Sequence, residues 1–394
     1  MLNSDFPFSP QLDLQGKNLL MVGVCLRNSI GCGKGPELHY ATPDQLRQVK
    51  LPHPEVAAHL QKIAEQKVLD ECWIWNTCNR FEVYAITQGD PQKGISFLEE
   101  TFFRPLHDSE NTLNRLAGVD AIHHLMRTTV GLNSGLPGET DVEQQLQVAV
   151  RIAECTGNLS NAGLAFVENL ISQADRARGE TAWADFSPSY CLASLEGAFT
   201  KMDRHTALSG PIVIIGSSST TRSCVEHLEQ DFGVDPDQIT FFHRCHKSNG
   251  TVKAVRRASM GCHRKKVDDY NSEEVFSAIG RATLVIWGID RDKPVLEASK
   301  LHDLRKGNST PLAMLDFNTL GSTSGVTSSE KLTFLDAQTL EAAVRAYAEK
   351  MEADPGFWCA VDEVESHIAE CVRTENFFTF SSQVHEHELA GAVR

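Results

Sequence analysis

The sequence lacks any apolar run approaching the ~18 residues needed to cross a bilayer, and Met1 to Lys17 holds no basic segment leading into an apolar one. A membrane span and a secretory leader are therefore not expected, and the chain reads as cytoplasmic with no membrane partner. No two cysteines form a C-x-x-C pair, although there are 11 between Cys25 and Cys371. Neither a disulfide framework nor a zinc ribbon is indicated, and most of these thiols read as small core residues in a reducing compartment. Positive charge is also short. With 37 Lys and Arg against 52 Asp and Glu, the net charge is −15, which argues against a protein that coats nucleic acid without specificity, because phosphate binding depends on neutralisation. The deficit is uneven: Phe242 to Val267 holds eight Lys or Arg and no Asp or Glu, and reads either as a solvated face or as one positive edge. No internal repeat or low-complexity tract is present.

What is present suits a globular protein of two or three domains: 394 residues, 41% of them hydrophobic. After a polar leader with Pro7 and Pro10, an apolar run from Leu19 to Leu26 predicts a first strand, ended by the glycine-rich Ile30 to Gly35. Thr42 and Pro43 mark a helix start, and Glu55 to Lys67 is apolar at helical spacing. A strand over Glu71 to Trp75 leads into Asn76-Thr77-Cys78-Asn79-Arg80, and Phe81 to Ile86 leaves it. A thiol flanked by a hydroxyl, two amides and a guanidinium makes Cys78 the candidate nucleophile, with Arg80 favouring its thiolate. Ala121 to Val130 reads as a helix carrying His123 and His124; Gly131 to Glu139 breaks it; helices follow over Asp141 to Thr156 and Gly163 to Arg178. A lone His beside an apolar helix face is a candidate acid or base at His124, or a structural hydrogen-bonding group.

From Gly210 onward short apolar runs alternate with helix-length intervals: Pro211–Ile215, Ile239–Phe242, Thr283–Trp287, Leu312–Leu315 and Leu332–Leu335. That pattern predicts a parallel sheet covered by helices on both faces. Helices over Ala337 to Met351 and along the stripe Val361, Val364, Ile368, Val372 end the chain. The expected fold is thus multidomain α/β: an α+β catalytic domain over 18–160, a connecting helix over 161–188, a Rossmann-like NADP-binding domain over 189–337 and C-terminal helices over 338–394. The first turn of the nucleotide domain is Gly216-Ser217-Ser218-Ser219-Thr220-Thr221, where dinucleotide-binding sheets carry G-x-G-x-x-G. Only the first glycine stands; Ser218 and Thr221 add atoms where backbone should approach pyrophosphate and helix should pack on strand. A hydroxyl-rich helix start still offers phosphate donors. Arg244 at the end of the next strand suits the 2′-phosphate of NADP, so NADPH is the expected cofactor. His243, Arg244, Cys245 and His246, with Cys262 and His263, do not match a structural zinc spacing, and no metal is expected.

Several stretches together resemble the glutamyl-tRNA reductases. Asn76 to Tyr84 is similar to S-T-C-N-R-x-E-x-Y; His124-Leu125-Met126 with Gly131-Leu132-Asn133-Ser134 and Gly138-Glu139 is similar to H-L-F and G-L-D-S-x-x-x-G-E; Arg178 to Thr181 is similar to R-x-E-T. The resemblance implies Cys78 as nucleophile and His124 in the catalytic cleft. It implies that Thr77, Arg80, Ser134, Glu139 and Gln145 bind substrate, and that residues 216–221 and Arg244 bind NADPH. The implied reaction converts glutamyl-tRNA to glutamate-1-semialdehyde through a Cys78 thioester, opening tetrapyrrole (haem) synthesis, with a downstream aminomutase and a homodimer as expected partners. The sequence departs from the family at the Gly23 motif, which has no His, at Thr140-Asp141-Val142 in place of P-Q-I, and at the Gly216 turn. Two alternatives stay open: a paralogue with acyl-transfer activity only, and a non-catalytic regulator with a degenerate cofactor site.

Overall fold

The structure is a computed structural model that describes residues 17–26, 36–77, 79–107, 112–216, 219–243, 262–289, 294–318 and 323–374. The chain forms two units, one from residues 1–187 together with 351–394, the other from residues 188–350.

The first unit is built on a five-stranded sheet. The apolar β1 (Asn18–Leu26) pairs in parallel with β2 (Tyr40–Ala41). Helix α1 (Pro43–Val49) starts where Thr42 and Gln45 cap each other reciprocally, at 3.2 and 2.8 Å, and α2 (His53–Gln66) follows. The hairpin β3 (Glu71–Asn76) and β4 (Arg80–Thr87) then lays β4 antiparallel against both β3 and β1. After α3 (Pro91–Leu98), β5 (Asn114–Ala117) pairs with β1. Helices α4 (Val119–Thr129), α5 (Asp141–Cys155) and α6 (Asn161–Gly179) follow.

Both hairpin strands are buried along their whole length. Period-two alternation therefore gives each face its own task. On one face Phe81 packs against Phe102 and Phe103, with ring centroids 5.9 and 5.5 Å away. The opposite face presents Arg80, Glu82 and Tyr84, with Trp73 stacked on Tyr84 at 5.1 Å. Of these, Glu82 meets His124 on α4, while Arg80 and Tyr84 bond to Glu82.

In the second unit α7 (Tyr190–Phe199) and α8 (Arg204–Leu208) precede the strand–helix alternation. It runs β6 (Ile212–Ile215), α9 (Ser219–Gln230), β7 (Ile239–His243), β8 (His263–Lys266), α10 (Glu273–Arg281) and β9 (Leu284–Trp287). Then come β10 (Leu296–Glu297), α11 (Ala298–Leu304), β11 (Leu312–Asp316), β12 (Thr323–Ser324) and β13 (Leu332–Leu335), with β10 and β12 forming their own short pair. The main sheet is parallel throughout, in the order β13-β11-β9-β6-β7-β8. Counted along the chain from β6, this is the third-second-first-fourth-fifth-sixth order of doubly wound dinucleotide folds. The expected α/β architecture is what the chain adopts.

The helices of the 338–394 stretch join different units. Helix α12 (Ala337–Glu352) lies in the second unit up to Lys350, whereas α13 (Pro355–Thr374) buries Phe357, Val361, Val364 and Ile368 in the core of the first. Among the described residues no helix is long and apolar enough to cross a membrane.

Candidate functional site

The β3–β4 hairpin is closed by backbone pairing. Thr77 N–H donates to Arg80 O at 2.9 Å, Asn79 N–H to the Thr77 hydroxyl at 3.2 Å, and Leu26 N–H to Asn79 O at 2.9 Å. Cys78 lies outside the described residues, as do Ser217, Ser218 and Arg244.

Arg80 is 2% exposed. It donates from Nη1 to Glu82 Oε1 at 3.3 Å and from Nη2 to Asn133 O at 2.8 Å, and its guanidinium lies 5.2 Å from the Trp75 ring centroid. Glu82 also receives the Tyr84 hydroxyl on Oε2 at 2.8 Å and meets His124 Nε2 at 3.1 Å. Burial works against the charged form of Glu82, yet His124, Arg80 and the Tyr84 hydroxyl together hold its carboxyl down at about 2. A buried carboxylate with these partners is the electrostatic centre of the cluster.

The segment after α4 folds back onto the hairpin. Gly131 O accepts from Ser134 N–H and Gly138 N–H, both at 3.1 Å. Gly131 has φ 87°, and a Cβ there would lie 2.8 Å from the Glu139 nitrogen, so the turn requires glycine. Gly135 rests against the Asn79 amide. The turn delivers the Ser134 hydroxyl as a donor to Glu139 Oε2. Burial, and then the charge of Asp141, push the Glu139 carboxyl up to about 7, against the opposing pull of Ser134 and Arg80. Arg178 clamps the turn from α6, donating to Gly138 O at 3.0 Å and Thr129 O at 3.2 Å. Gln145 is half-buried on α5. On α4, His123 is pushed down to about 4 by burial, then by Arg127 and His124.

The expected residues Arg80, His124, Ser134 and Glu139 thus gather in one buried cluster, with Thr77 at its hairpin. Glu82, Asn133, Tyr84 and Arg127 belong to it as well and were not singled out from the sequence. For Glu82 and Tyr84 the signal was available, since they alternate with Arg80 on one strand face.

In the second unit Gly216 has φ 128°, and a Cβ there would stand 2.2 Å from Gly288 O. The β6 and β9 ends approach that closely. Thr221 is fully buried on α9, and the Cys191 thiol donates to Thr220 O at 3.0 Å. The helix therefore accommodates the threonine that stands at the third glycine position. At the carboxyl ends of β7 and β8, His243 is pushed down by burial and by Arg264, Arg222 and Lys266. Phosphate is the ligand chemistry that this concentration of cations fits. Among the described residues no group of three or more His, Cys, Asp and Glu is placed to share a metal ion.

Residues 36–181 match the family model described as the N-terminal domain of glutamyl-tRNA(Glu) reductase. Curated relatives include glutamyl-tRNA reductase of Synechococcus sp. (strain JA-3-3Ab), 25% identical over 284 residues, which are 71% of this chain and 63% of that protein. The enzyme of Trichormus variabilis is 24% identical over 285 residues, 71% of this chain and 64% of its own. Glutamyl-tRNA reductase of Hydrogenovibrio crunogenus is 25% identical over 286 residues, 71% and 62%. The match thus spans somewhat less than two thirds of these relatives. A solved glutamyl-tRNA reductase from Methanopyrus kandleri aligns at 20% identity with a TM-score of 0.44, over 95% of this chain and 82% of that one.

Proposed function

We propose that this chain, a divergent member of the glutamyl-tRNA reductase family, reduces glutamyl-tRNA to glutamate-1-semialdehyde in the cytoplasm as the first step of tetrapyrrole synthesis. The observation that carries the reading is the buried cluster of Arg80, Glu82, His124 and Asn133 behind the hairpin that brackets Cys78, inside the stretch that matches the family's N-terminal domain.

The Cys78 thiolate attacks the ester carbonyl joining glutamate to the terminal ribose. The ester C–O bond breaks, the ribose oxygen takes a proton, and a thioester is left on the enzyme. Arg80 and Thr77 hold the glutamyl group, the guanidinium complementing its carboxylate. Glu139, titrating at about 7, is protonated in part at neutral pH and can donate a hydrogen bond to an anionic group that its charged form would repel. Ser134 orients that carboxyl. NADPH, when bound, supplies the hydride that converts the thioester to the aldehyde. Gly216, with its φ of 128°, the start of α9 and the cations Arg222, Arg264 and Lys266 would hold it through its phosphates, with Arg244 at the 2′-phosphate. An aminomutase that consumes the aldehyde and a second copy of the chain are the proposed partners.

A second reading is favoured by Thr221, which fills the place where a third glycine is expected: a paralogue that forms the acyl-enzyme without reducing it. Cys78→Ser is expected to abolish glutamyl-tRNA reduction while tRNA binding and fold persist; retained activity ends the thioester mechanism. Fluorescence titration with NADPH separates the reductase from the alternatives: no binding at millimolar cofactor removes it, and thiol trapping with labelled aminoacyl-tRNA then separates the acyl-transfer paralogue from a non-catalytic regulator.

A further inference from the structure

The cluster behind the hairpin continues onto the C-terminal helix. Glu365 of α13 and Arg127 of α4, each 1% exposed, form an ion pair. A guanidinium only donates, so the Asn133 atom 3.3 Å from Arg127 Nε is the amide oxygen. This turns the amide nitrogen toward Thr128 Oγ1 at 3.1 Å and His124 Nδ1 at 3.3 Å, with the His124 carbonyl farther off at 3.5 Å. An amide NH₂ also only donates, so His124 accepts at Nδ1 and carries its proton on Nε2, from which it donates to Glu82 Oε1 at 3.1 Å. Glu82 takes Arg80 Nη1 on the same oxygen, and Arg80 Nη2 closes the ring on Asn133 O at 2.8 Å. Each donor direction follows from the one before it.

We infer that Glu365 is a positioning residue for the candidate site: by holding Arg127 it sets the Asn133 amide, and through that amide the Nε2–H tautomer of His124 and the placement of Arg80. The residue reaches the site through the tertiary return of α13 to the first unit. In this arrangement both ring nitrogens of His124 are engaged, so it orients Glu82 and Arg80 instead of exchanging protons with substrate. A Glu365 that merely neutralised Arg127 would leave the amide direction, and hence the tautomer, indifferent to its replacement.

The kinetic consequence rests on the proposed reductase activity; the tautomer does not. Long-range ¹H–¹⁵N spectra of the full chain with labelled histidines, the His124 signals assigned by their loss in His124→Asn, report which ring nitrogen bears the proton. The parent is expected to show a protonated Nε2 and an accepting Nδ1. In Glu365→Gln the Nδ1–H form should appear, and kcat should fall about tenfold or more with KM for NADPH unchanged. Glu365→Asp, which keeps the charge, should retain the parent tautomer. A parent His124 protonated at Nδ1, or a Glu365→Gln protein with the parent tautomer, overturns the inference, and the first of these does not depend on a Glu365 variant folding. If the parent reduces no glutamyl-tRNA, the proposed function fails, while the spectra still decide the role of Glu365.

Discussion

Replacing Glu139 by Gln probes a carboxyl that the fold keeps from ionising at its ordinary pH. Burial is the main cause and Asp141 the second, and together they raise it from 4.5 to about 7. A group with a raised folded pKa contributes stability that is fully present below its unfolded value and is lost as pH rises through the folded one. For Glu139 that window runs from 4.5 to about 7. At about 1.36 kcal/mol per unit, the interval corresponds to roughly 3 kcal/mol. Gln keeps the shape, can still accept the Ser134 hydroxyl, and does not titrate. Glu139→Gln should therefore match the parent to within about 1 kcal/mol near pH 5 and exceed it by up to about 3 kcal/mol near pH 8. Urea unfolding across that range, read from midpoints at unchanged slope, measures the difference. An advantage that is independent of pH, or that shrinks as pH rises, refutes a buried titrating carboxyl at this position. Reductase activity in the same variant should persist as pH rises above about 7, where the parent loses it, because the amide goes on donating where the ionised carboxylate would repel the anionic group.

Two further substitutions test the elements that shape the sites. Gly216→Ala forces a Cβ to within 2.2 Å of Gly288 O at φ 128°, so the second unit should lose about 2–4 kcal/mol and show a lower melting temperature; unchanged melting would mean that β6 and β9 do not approach this closely. Arg178→Lys keeps the charge but loses the fork that reaches Gly138 O at 3.0 Å and Thr129 O at 3.2 Å. A loss of about 1–2 kcal/mol in urea unfolding is expected, and parity with the parent would show that the clamp contributes nothing.

The strands that could be read from sequence are those that are apolar because both faces are covered. β6, β7, β9 and β11 appear as such runs, and the edge strand β13 is legible through its apolar residues although it is only partly buried. β8 was missed because His263-Arg264-Lys265-Lys266 is an exposed edge strand, held by backbone pairing to β7 with no apolar signal. β5 reads as polar for a related reason, with Asn114 and Arg115 in a four-residue strand. At the site, the motif around Arg80 and the Gly131 turn was legible because chemistry and turn geometry restrict residue type there. The participation of Glu365 was not, since nothing local to α13 distinguishes a helix carboxylate that faces solvent from one that meets a buried guanidinium. The apolar stripe of α13 was visible, but its partner was not, because a stripe specifies that a face is covered and not by which unit.

The return of α13 to the first unit has a consequence for biogenesis. Residues 188–350 are an insertion between two parts of one core, and the ribosome completes that insertion before it makes Phe357, Val364 and Glu365. The second unit has all its strands in hand while the first still lacks its closing helix, with Arg127 awaiting its counter-charge. The nascent chain therefore holds the complete sequence of its middle before that of its beginning. The half that carries Cys78 is the last whose full sequence leaves the ribosome.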